Sequence, residues 1–312
     1  MALNKVYDAP TVFKCLNGII NVFKPADMKV KHVKAAIIYN ICKDLNNMIV
    51  REPRDLENKP LMLEPGGAQN PVLRKVASLA DHVLAVGERY QMQDIRCSPA
   101  AYLGEHTSGV LLFGINKGLK QSSKIHRNRP IRAYHVTGCL GTATDSHFHD
   151  SHITVRSKYQ HVQPERITSL AASMQASHQR KMYELCGVDM QSQSAYEIAC
   201  KGLVRPADST QPVVYSIKLI DFKPPEFTLE IHAINESEDY LAILVHEMGI
   251  ELRTVAHCKA IRCIRQGHFT VEDSLLRHDW NLRGVMQNMR KQKTVITQHP
   301  YMLEQNSIEL RA

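Results

Sequence analysis

Basic side chains are the first residues in this sequence that could bind a ligand, because they occur in clusters. The longer cluster contains no acidic residue and consists of Lys117, Lys120, Lys124, Arg127, Arg129 and Arg132. A shorter one consists of Lys24, Lys29, Lys31 and Lys34. The whole chain of 312 residues carries a formal net charge of +8. Clustered positive charge attracts polyanions, so RNA is the partner that we expect, with an ordinary solvated surface as the alternative.

A second group of reactive side chains lies between residues 145 and 152 and could ligate zinc or nickel. It consists of Asp145, His147, His149, Asp150 and His152. This group follows the turn-rich stretch 141–144, whereas metal ligands are normally fixed by regular secondary structure. We therefore expect a solvated loop and no resident metal or cofactor. The eight cysteines show no paired spacing, which indicates a reducing compartment rather than a disulfide framework.

Composition excludes two broad classes of protein. Apolar residues make up 44% of the chain and charged residues 22%, which is enough apolar surface for a folded core and excludes a wholly disordered protein. No run of about 18 apolar residues occurs, so we expect no membrane span. The first 17 residues carry neither an apolar secretory core nor the pattern of an organellar presequence.

Hydrophobic patterning predicts the elements that must position these side chains. Continuous apolar runs predict buried strands at 18–23, 108–115 and 131–140, and alternation over 212–222 and 227–233 predicts an antiparallel hairpin. Helical spacing predicts helices from Val30, at 165–178, at 192–201 and at 238–249, and a cap at Thr270 predicts a further helix start. The proline- and glycine-rich stretch 51–71 is expected to be a surface loop. Strands and helices mix without βαβ alternation, which is typical of the α+β class.

Several short motifs, in this order and at these separations, resemble the TruB-type pseudouridine synthases, and in particular their mitochondrial mRNA branch, which lacks a PUA domain. The motifs begin with Gly18-Ile-Ile-Asn-Val-Phe-Lys24-Pro25 and Ser108-Gly109-Val-Leu. They continue with Arg132-Ala-Tyr134, Gly141-Thr-Ala-Thr-Asp145, the stretch 195–202, Leu244-Val-His-Glu-Met-Gly249 and the stretch 261–269. The resemblance implies a mainly antiparallel sheet flanked by helices over residues 18–280. Residues 1–17 would be an extension, and residues 281–312 a C-terminal helix and tail.

The resemblance also implies a chemistry and a set of site residues. Enzymes of this family extrude a uridine from RNA, break its glycosidic bond and rejoin the base through C5, using an aspartate and no cofactor. Tyr134 matches the stacking tyrosine of the family, Lys24 the lysine of its first motif, and Tyr240 its usual tyrosine. We therefore expect Lys24, Tyr134 and Tyr240, together with the longer basic cluster, to contact mitochondrial mRNA, tRNA or rRNA. We expect no membrane span, and protein or ribonucleoprotein partners remain open.

The sequence departs from the family at the catalytic position. Counted back from Ser108-Gly109, the position of the aspartate is Gly104, which has no side chain to attack a sugar or take a proton. The arginine that pairs with that aspartate in the family falls at Ala242. Losing both partners of an ion pair can be nearly neutral for folding. We therefore expect an RNA-binding protein that isomerises uridine poorly or not at all.

Two alternatives remain open from the sequence. The first is an active synthase that isomerises uridine in mitochondrial mRNA or tRNA with Glu105, the only other carboxylate in that stretch, although a misplacement of about 1 Å can cost about a hundredfold in rate. The second is a protein-interaction subunit without affinity for RNA. The coupled losses further predict that Gly104→Asp alone restores little activity, whereas Gly104→Asp with Ala242→Arg restores more.

Overall fold

The strands of the protein are built from the apolar runs of the sequence, and the helices from its amphipathic segments. A computed structural model describes residues 8–50, 87–200, 205–206, 211–303 and 309–310. Its strands are β1 (Gly18–Lys24), β2 (Cys97–Pro99), β3 (Thr107–Ile115), β4 (Arg132–Leu140), β5 (Thr142–Thr144), β6 (Ile153–Arg156), β7 (Arg205–Pro206), β8 (Val213–Lys223), β9 (Glu226–Ile234), β10 (Ala256–Gln266), β11 (Phe269–Thr270) and β12 (Glu309–Leu310). Its helices are α1 (Ala9–Cys15), α2 (Val30–Asn46), α3 (Leu119–Asn128), α4 (Pro164–Leu185), α5 (Gln193–Cys200), α6 (Glu238–Glu251) and α7 (Leu282–Gln298).

One eight-stranded sheet organises these elements. Its order is β1-β3-β10-β4-β9-β8, with β2 beside β3 and β11 beside β10. All pairings in it are antiparallel except the one between β3 and β10. The predicted α+β class with a mainly antiparallel sheet is therefore confirmed. Within the part of the chain that the structure describes, no helix combines the length and the apolar character that crossing a membrane needs.

The parallel contact between β3 and β10 depends on a glycine. Gly109 has φ +113°, and a Cβ atom there would lie 2.0 Å from the carbonyl oxygen of Cys263. Only a residue without a side chain allows β10 to approach β3 this closely. The contact brings the middle of β10, at Ile261, beside Thr107, the first residue of β3. The loop that precedes Thr107 is thereby placed next to the centre of the sheet.

Helices cover the sheet along its length: α7 packs on β1, α3 on β3, α6 on β10 and α4 on β8. The core draws on nearly the whole described chain, from Ala9 and Leu16 near one end to Ile296 and Met302 near the other. The loop after β9 and the N-terminus of α6 lie beside the loop before β3, because Glu238 hydrogen-bonds to Thr107. This junction is the site described below.

Most predicted elements are present, and two predictions are wrong in detail. The helix predicted at 165–178 continues to Leu185. The helix start predicted at Thr270 is wrong, because Thr270 belongs to β11 and α7 begins at Leu282. Asn281 caps that helix instead, since its side-chain oxygen accepts a hydrogen bond from the backbone N–H of Gly284 at 2.8 Å. The loop predicted at 51–71 lies outside the described residues.

Candidate functional site

A cleft of about 300 Å³ opens where the loop before β3 meets the N-terminus of α6. Among the residues lining it are Tyr102, Leu103, Gly104, Tyr134, Glu236 and Glu238. The cleft therefore contains the position at which the family resemblance places a catalytic aspartate. Its size is at the lower end of the range of small-molecule sites, which run from about 300 to 1,000 Å³.

The carboxylate of Glu238 occupies the space that a side chain at position 104 would fill. A Cβ atom built on Gly104 would lie 1.7 Å from the carboxyl carbon of Glu238, 1.9 Å from its Oε2 and 2.3 Å from its Oε1. Oε1 accepts a hydrogen bond from the backbone N–H of Glu105 at 2.9 Å. Oε2 accepts two bonds from Thr107, at 3.1 Å from the backbone N–H and 3.0 Å from the hydroxyl. Both oxygens of Glu238 are thus held by the loop.

Lys24 holds the same loop from its other side. Its buried ammonium donates hydrogen bonds to the carbonyl oxygens of Pro25, Glu105 and Thr107, at 3.1, 2.9 and 2.7 Å. Burial lowers the pKa of Lys24 to about 8, although the nearby carboxylates, Glu238 foremost, act in the opposite direction. An ammonium has three protons to donate, and all three are used here. The structure therefore places Lys24 inside the protein as a support of the loop.

A buried network of charges forms the opposite wall of the cleft. Arg132 pairs with Glu236 at 2.5 Å (Nε to Oε1) and donates from Nη1 to the carbonyl of Tyr102 at 3.0 Å. The hydroxyl of Tyr134 donates to Glu236 Oε1 at 2.6 Å. Burial raises the pKa of Tyr134 well above its usual value, so this hydroxyl keeps its proton at neutral pH. Oε2 of Glu236 is buried and has no hydrogen-bond partner among the described residues.

Three other residues named from the sequence lie at the edge of this arrangement. The carboxylate of Glu105 pairs with Lys29 at 3.3 Å and is not among the residues that line the cleft. Ala242 is fully buried one turn after Glu238 on α6. The hydroxyl of Tyr240 contacts Nε2 of His178 at 3.1 Å, and burial raises its pKa to about 12. Neither Ala242 nor Tyr240 lines the cleft.

Four members of the longer basic cluster form a stripe along α3 and the turn before it. They are all exposed, and their spacing of three, four and three residues places them on one helical face: Lys117, Lys120, Lys124 and Arg127. Beyond the stripe, Arg129 donates from Nη1 to Oδ1 of Asn235 at 3.2 Å. Arg129 and Arg132 border a second cleft, of about 240 Å³, which shares Tyr102 and Glu236 with the first. The structure therefore brings two members of the longer basic cluster, Arg129 and Arg132, to the border of the candidate site.

The histidine-rich segment 145–152 lies beside the loop before β3. His106 contacts Oδ1 of Asp27 at 3.1 Å and Oδ2 of Asp150 at 3.8 Å, and its ring lies 4.8 Å from that of Phe148. His147 instead stacks on His246, with ring centroids 4.4 Å apart. Among the described residues, no group of three or more His, Cys, Asp or Glu side chains is arranged to hold a metal ion.

Sequence reasoning missed Glu238, the acid that lies closest to the position of the absent side chain. No local pattern identifies it, because Gly104 and Glu238 are far apart in the chain and meet only through the fold. The one usable signal is its place in the first turn of a predicted helix, where a carboxylate is favoured for electrostatic reasons alone.

Comparisons with known proteins show the family of this chain. Residues 100–238 match the family model "TruB family pseudouridylate synthase (N terminal domain)". The protein named mitochondrial pseudouridylate synthase TRUB2 of Xenopus tropicalis is 34% identical over 91% of this chain and 87% of its own. The Homo sapiens protein of that name is 31% identical over 88% and 83%.

The solved structures that match this chain are less similar to it. The crystal structure of an archaeal box H/ACA sRNP Nop10-Cbf5 complex includes a chain that is 16% identical, with a TM-score of 0.46; the match covers 90% of this chain and 60% of that one. The family assignment does not depend on this likeness, because the sequence relatives cover nearly the whole chain at 31–34% identity. The chain belongs to the TruB family of pseudouridylate synthases.

Proposed function

We propose that this protein binds uridine-bearing RNA in mitochondria and isomerises uridine poorly or not at all. The observation that carries the proposal is the state of position 104. Gly104 offers no side chain, and the carboxylate in its place has both oxygens hydrogen-bonded to the loop. A carboxylate that already accepts three hydrogen bonds from the loop is poorly placed to attack a ribose carbon or to take a proton.

The missing cation supports the same conclusion. Ala242 is fully buried and presents only a methyl group at the position that carries an arginine in the family. Arg132, the guanidinium beside the cleft, is committed to Glu236. A carboxylate in the cleft therefore lacks the arginine that the family uses to hold it.

Features that would retain RNA are present in the described structure. The exposed stripe of Lys117, Lys120, Lys124 and Arg127 supplies charge for phosphates. Tyr102, with 71% of its surface exposed, stands at the mouth of the cleft and can stack on a base.

The mitochondrial location rests on the relatives. The similar proteins from frog, human and rat all carry the word mitochondrial in their names. This chain spans nearly their whole length, so we carry the location over to it.

The test is a map of pseudouridine in mitochondrial RNA from cells with and without the protein, combined with ultraviolet cross-linking of the protein to RNA. We expect cross-linked mitochondrial RNA and no pseudouridine that depends on the protein. A set of uridines that lose the modification when the protein is removed, and regain it with wild-type protein but not with Glu238→Gln or Glu105→Gln, would identify an active synthase instead. Absence of any cross-linked RNA would favour a subunit that binds only proteins.

A further inference from the structure

We propose that Glu238 positions the 104–107 loop for RNA binding by supplying, from helix α6, the carboxylate that residue 104 cannot supply. This inference rests on the proposed RNA-binding function and concerns how the site keeps its shape. Glu238 is a positioning residue, since its contacts are with the loop.

Glu238 and a side chain at position 104 compete for the same space. The carboxyl carbon of Glu238 lies 1.7 Å from the point where a Cβ of residue 104 would stand, which is about one bond length. A side chain at position 104 and the present conformation of Glu238 are therefore mutually exclusive, and the glycine is what admits Glu238 to the site.

Hydrogen bonds hold the loop from two sides. The N–H groups of Glu105 and Thr107 and the hydroxyl of Thr107 point at the Glu238 carboxylate, while the carbonyls of Glu105 and Thr107 bind Lys24. A donor that is shielded from water and loses its acceptor destabilises the conformation that shields it. Glu238 therefore satisfies one side of the loop and Lys24 the other.

Helix α6 in turn supports Glu238. Ser237 caps α6 by accepting the backbone N–H of Tyr240 at 3.1 Å. Glu238 is the first residue of the helix, where the aligned peptide dipoles favour a negative charge. The N-terminus of α6 thus fixes the position of the Glu238 carboxylate, and the hydrogen bonds to that carboxylate fix the conformation of the loop.

The experiment compares four variants with the wild type: Glu238→Ala, Glu238→Gln, Gly104→Asp, and Gly104→Asp combined with Glu238→Ala. Glu251→Gln, at the exposed end of the same helix, is the matched control for loss of one negative charge. Two quantities are measured: hydrogen exchange at the amides of Glu105 and Thr107, and the Kd for a hairpin RNA with uridines in its loop. Thermal melting checks that each variant is folded.

In Glu238→Ala we expect exchange of the two amides to accelerate, and Kd to rise, by about tenfold or more, because three hydrogen bonds to a charged acceptor are lost. A tenfold change corresponds to about 1.4 kcal/mol. Glu238→Gln should show a smaller change, because its amide retains one accepting oxygen. Adding Gly104→Asp to Glu238→Ala should return both quantities toward the wild type, since the new carboxylate enters the vacated space.

A purely structural role of Glu238 in α6 would not be rescued by a carboxylate placed on another segment of the chain. Unchanged exchange and Kd in Glu238→Ala, or failure of Gly104→Asp to rescue a folded Glu238→Ala, would overturn the proposal. If Glu238→Ala does not fold, Glu238→Gln and Thr107→Val replace it, and unchanged exchange in both would again overturn it. A wild-type protein that binds no RNA would contradict the proposed function, while the exchange data would still test the role of Glu238.

Discussion

Glu236 and Glu238 stand two residues apart and line the same cleft, but their carboxylates are held in opposite ways. Glu236 is buried, pairs with the guanidinium of Arg132 and accepts the hydroxyl of Tyr134. Glu238 is bound by backbone N–H groups and a hydroxyl of the loop. One wall of the cleft is therefore a charge-paired network fixed within the sheet, and the other is a loop closed over a helix end.

This difference shows which residues of the site depart from the pattern of the family resemblance. The wall of Glu236 retains Arg132 and Tyr134, both of which belong to a motif shared with the family resemblance. The wall of Glu238 has glycine where an acid is expected and alanine where an arginine is expected, and a carboxylate from another element fills the gap. Under the proposed function, the residues that would bind RNA are retained and the groups that would isomerise uridine are missing.

The largest effect that separates the two walls should come from Arg132→Met. This change strands the buried carboxylate of Glu236, and breaking a buried pair costs about 3–5 kcal/mol. Urea unfolding measures the loss, with Glu238→Gln as the comparison, for which we expect at most about 2 kcal/mol. The double variant Arg132→Met with Glu236→Met should lose much less than Arg132→Met alone. If Arg132→Met and Glu238→Gln lower the free energy of unfolding equally, the two walls do not differ in the way described here.

Alkaline pH should reveal the buried ammonium behind the loop. The pKa of Lys24 is about 8 in the folded protein and 10.5 in its ordinary state, so the folded state releases the proton first as pH rises. The unfolding free energy of the wild type, relative to Lys24→Met, should therefore increase between about pH 8 and pH 10.5, by on the order of 3 kcal/mol at most. Denaturant titrations across this range measure it, and a decrease over the same range would contradict the burial of a charged Lys24.

Restoring the chemistry of the changed wall should need three substitutions. Gly104→Asp alone would bring two carboxylates into one space, so we expect it to restore little activity. Ala242 lies one turn after Glu238, and side chains spaced by four residues share a helical face, so an arginine there can reach toward the same place. The triple variant Gly104→Asp, Glu238→Ala, Ala242→Arg should form pseudouridine at least about tenfold faster than Gly104→Asp with Ala242→Arg, which corresponds to about 1.4 kcal/mol.

The pseudouridine content of a uridine-loop RNA over time measures these rates. If the double variant without Glu238→Ala is as active as the triple variant, Glu238 is not an obstacle to an aspartate at position 104. That result would mean that the loop can accommodate the carboxylate of Glu238 and that of an aspartate at position 104 together.

The smallest effect should come from the basic stripe, which lies outside both walls. Lys120→Glu and Lys124→Glu should each weaken RNA binding and lower the slope of log affinity against log salt by about one for each phosphate that the protein no longer neutralises. Lys293→Glu, exposed on α7, is the matched charge reversal. Slopes that change equally in all three variants would mean that the stripe is an ordinary solvated surface.

Local patterns predict much of this fold. The strand from Gly18, the hairpin of β8 and β9 and the helix from Glu238 follow from hydrophobic period and turn residues, which act over a few neighbours. The start of α7 does not follow from such patterns. The cap-like pattern at Thr270 lies in a strand and turn, and Asn281 forms the actual cap of the helix.

The site is less predictable, because its contacts join distant segments. The glycine at position 104 is visible in the sequence, and so is the alanine at 242. The sequence does not reveal that Glu238 fills the gap, that Lys24 is buried under three carbonyls, or that Glu105 turns to Lys29. Each of these features depends on where two chain segments cross, which no local period encodes.

The most direct test of the central claim is a single-turnover assay with protein in excess over a uridine-bearing RNA, in which bound RNA and pseudouridine are quantified in the same sample. We predict that nearly all of the RNA is bound at low salt and that its pseudouridine content stays at the level of RNA kept without protein. Pseudouridine approaching one per bound RNA, at a rate ordinary for an enzyme and abolished by Glu238→Gln, would contradict the account and make Glu238 the catalytic acid.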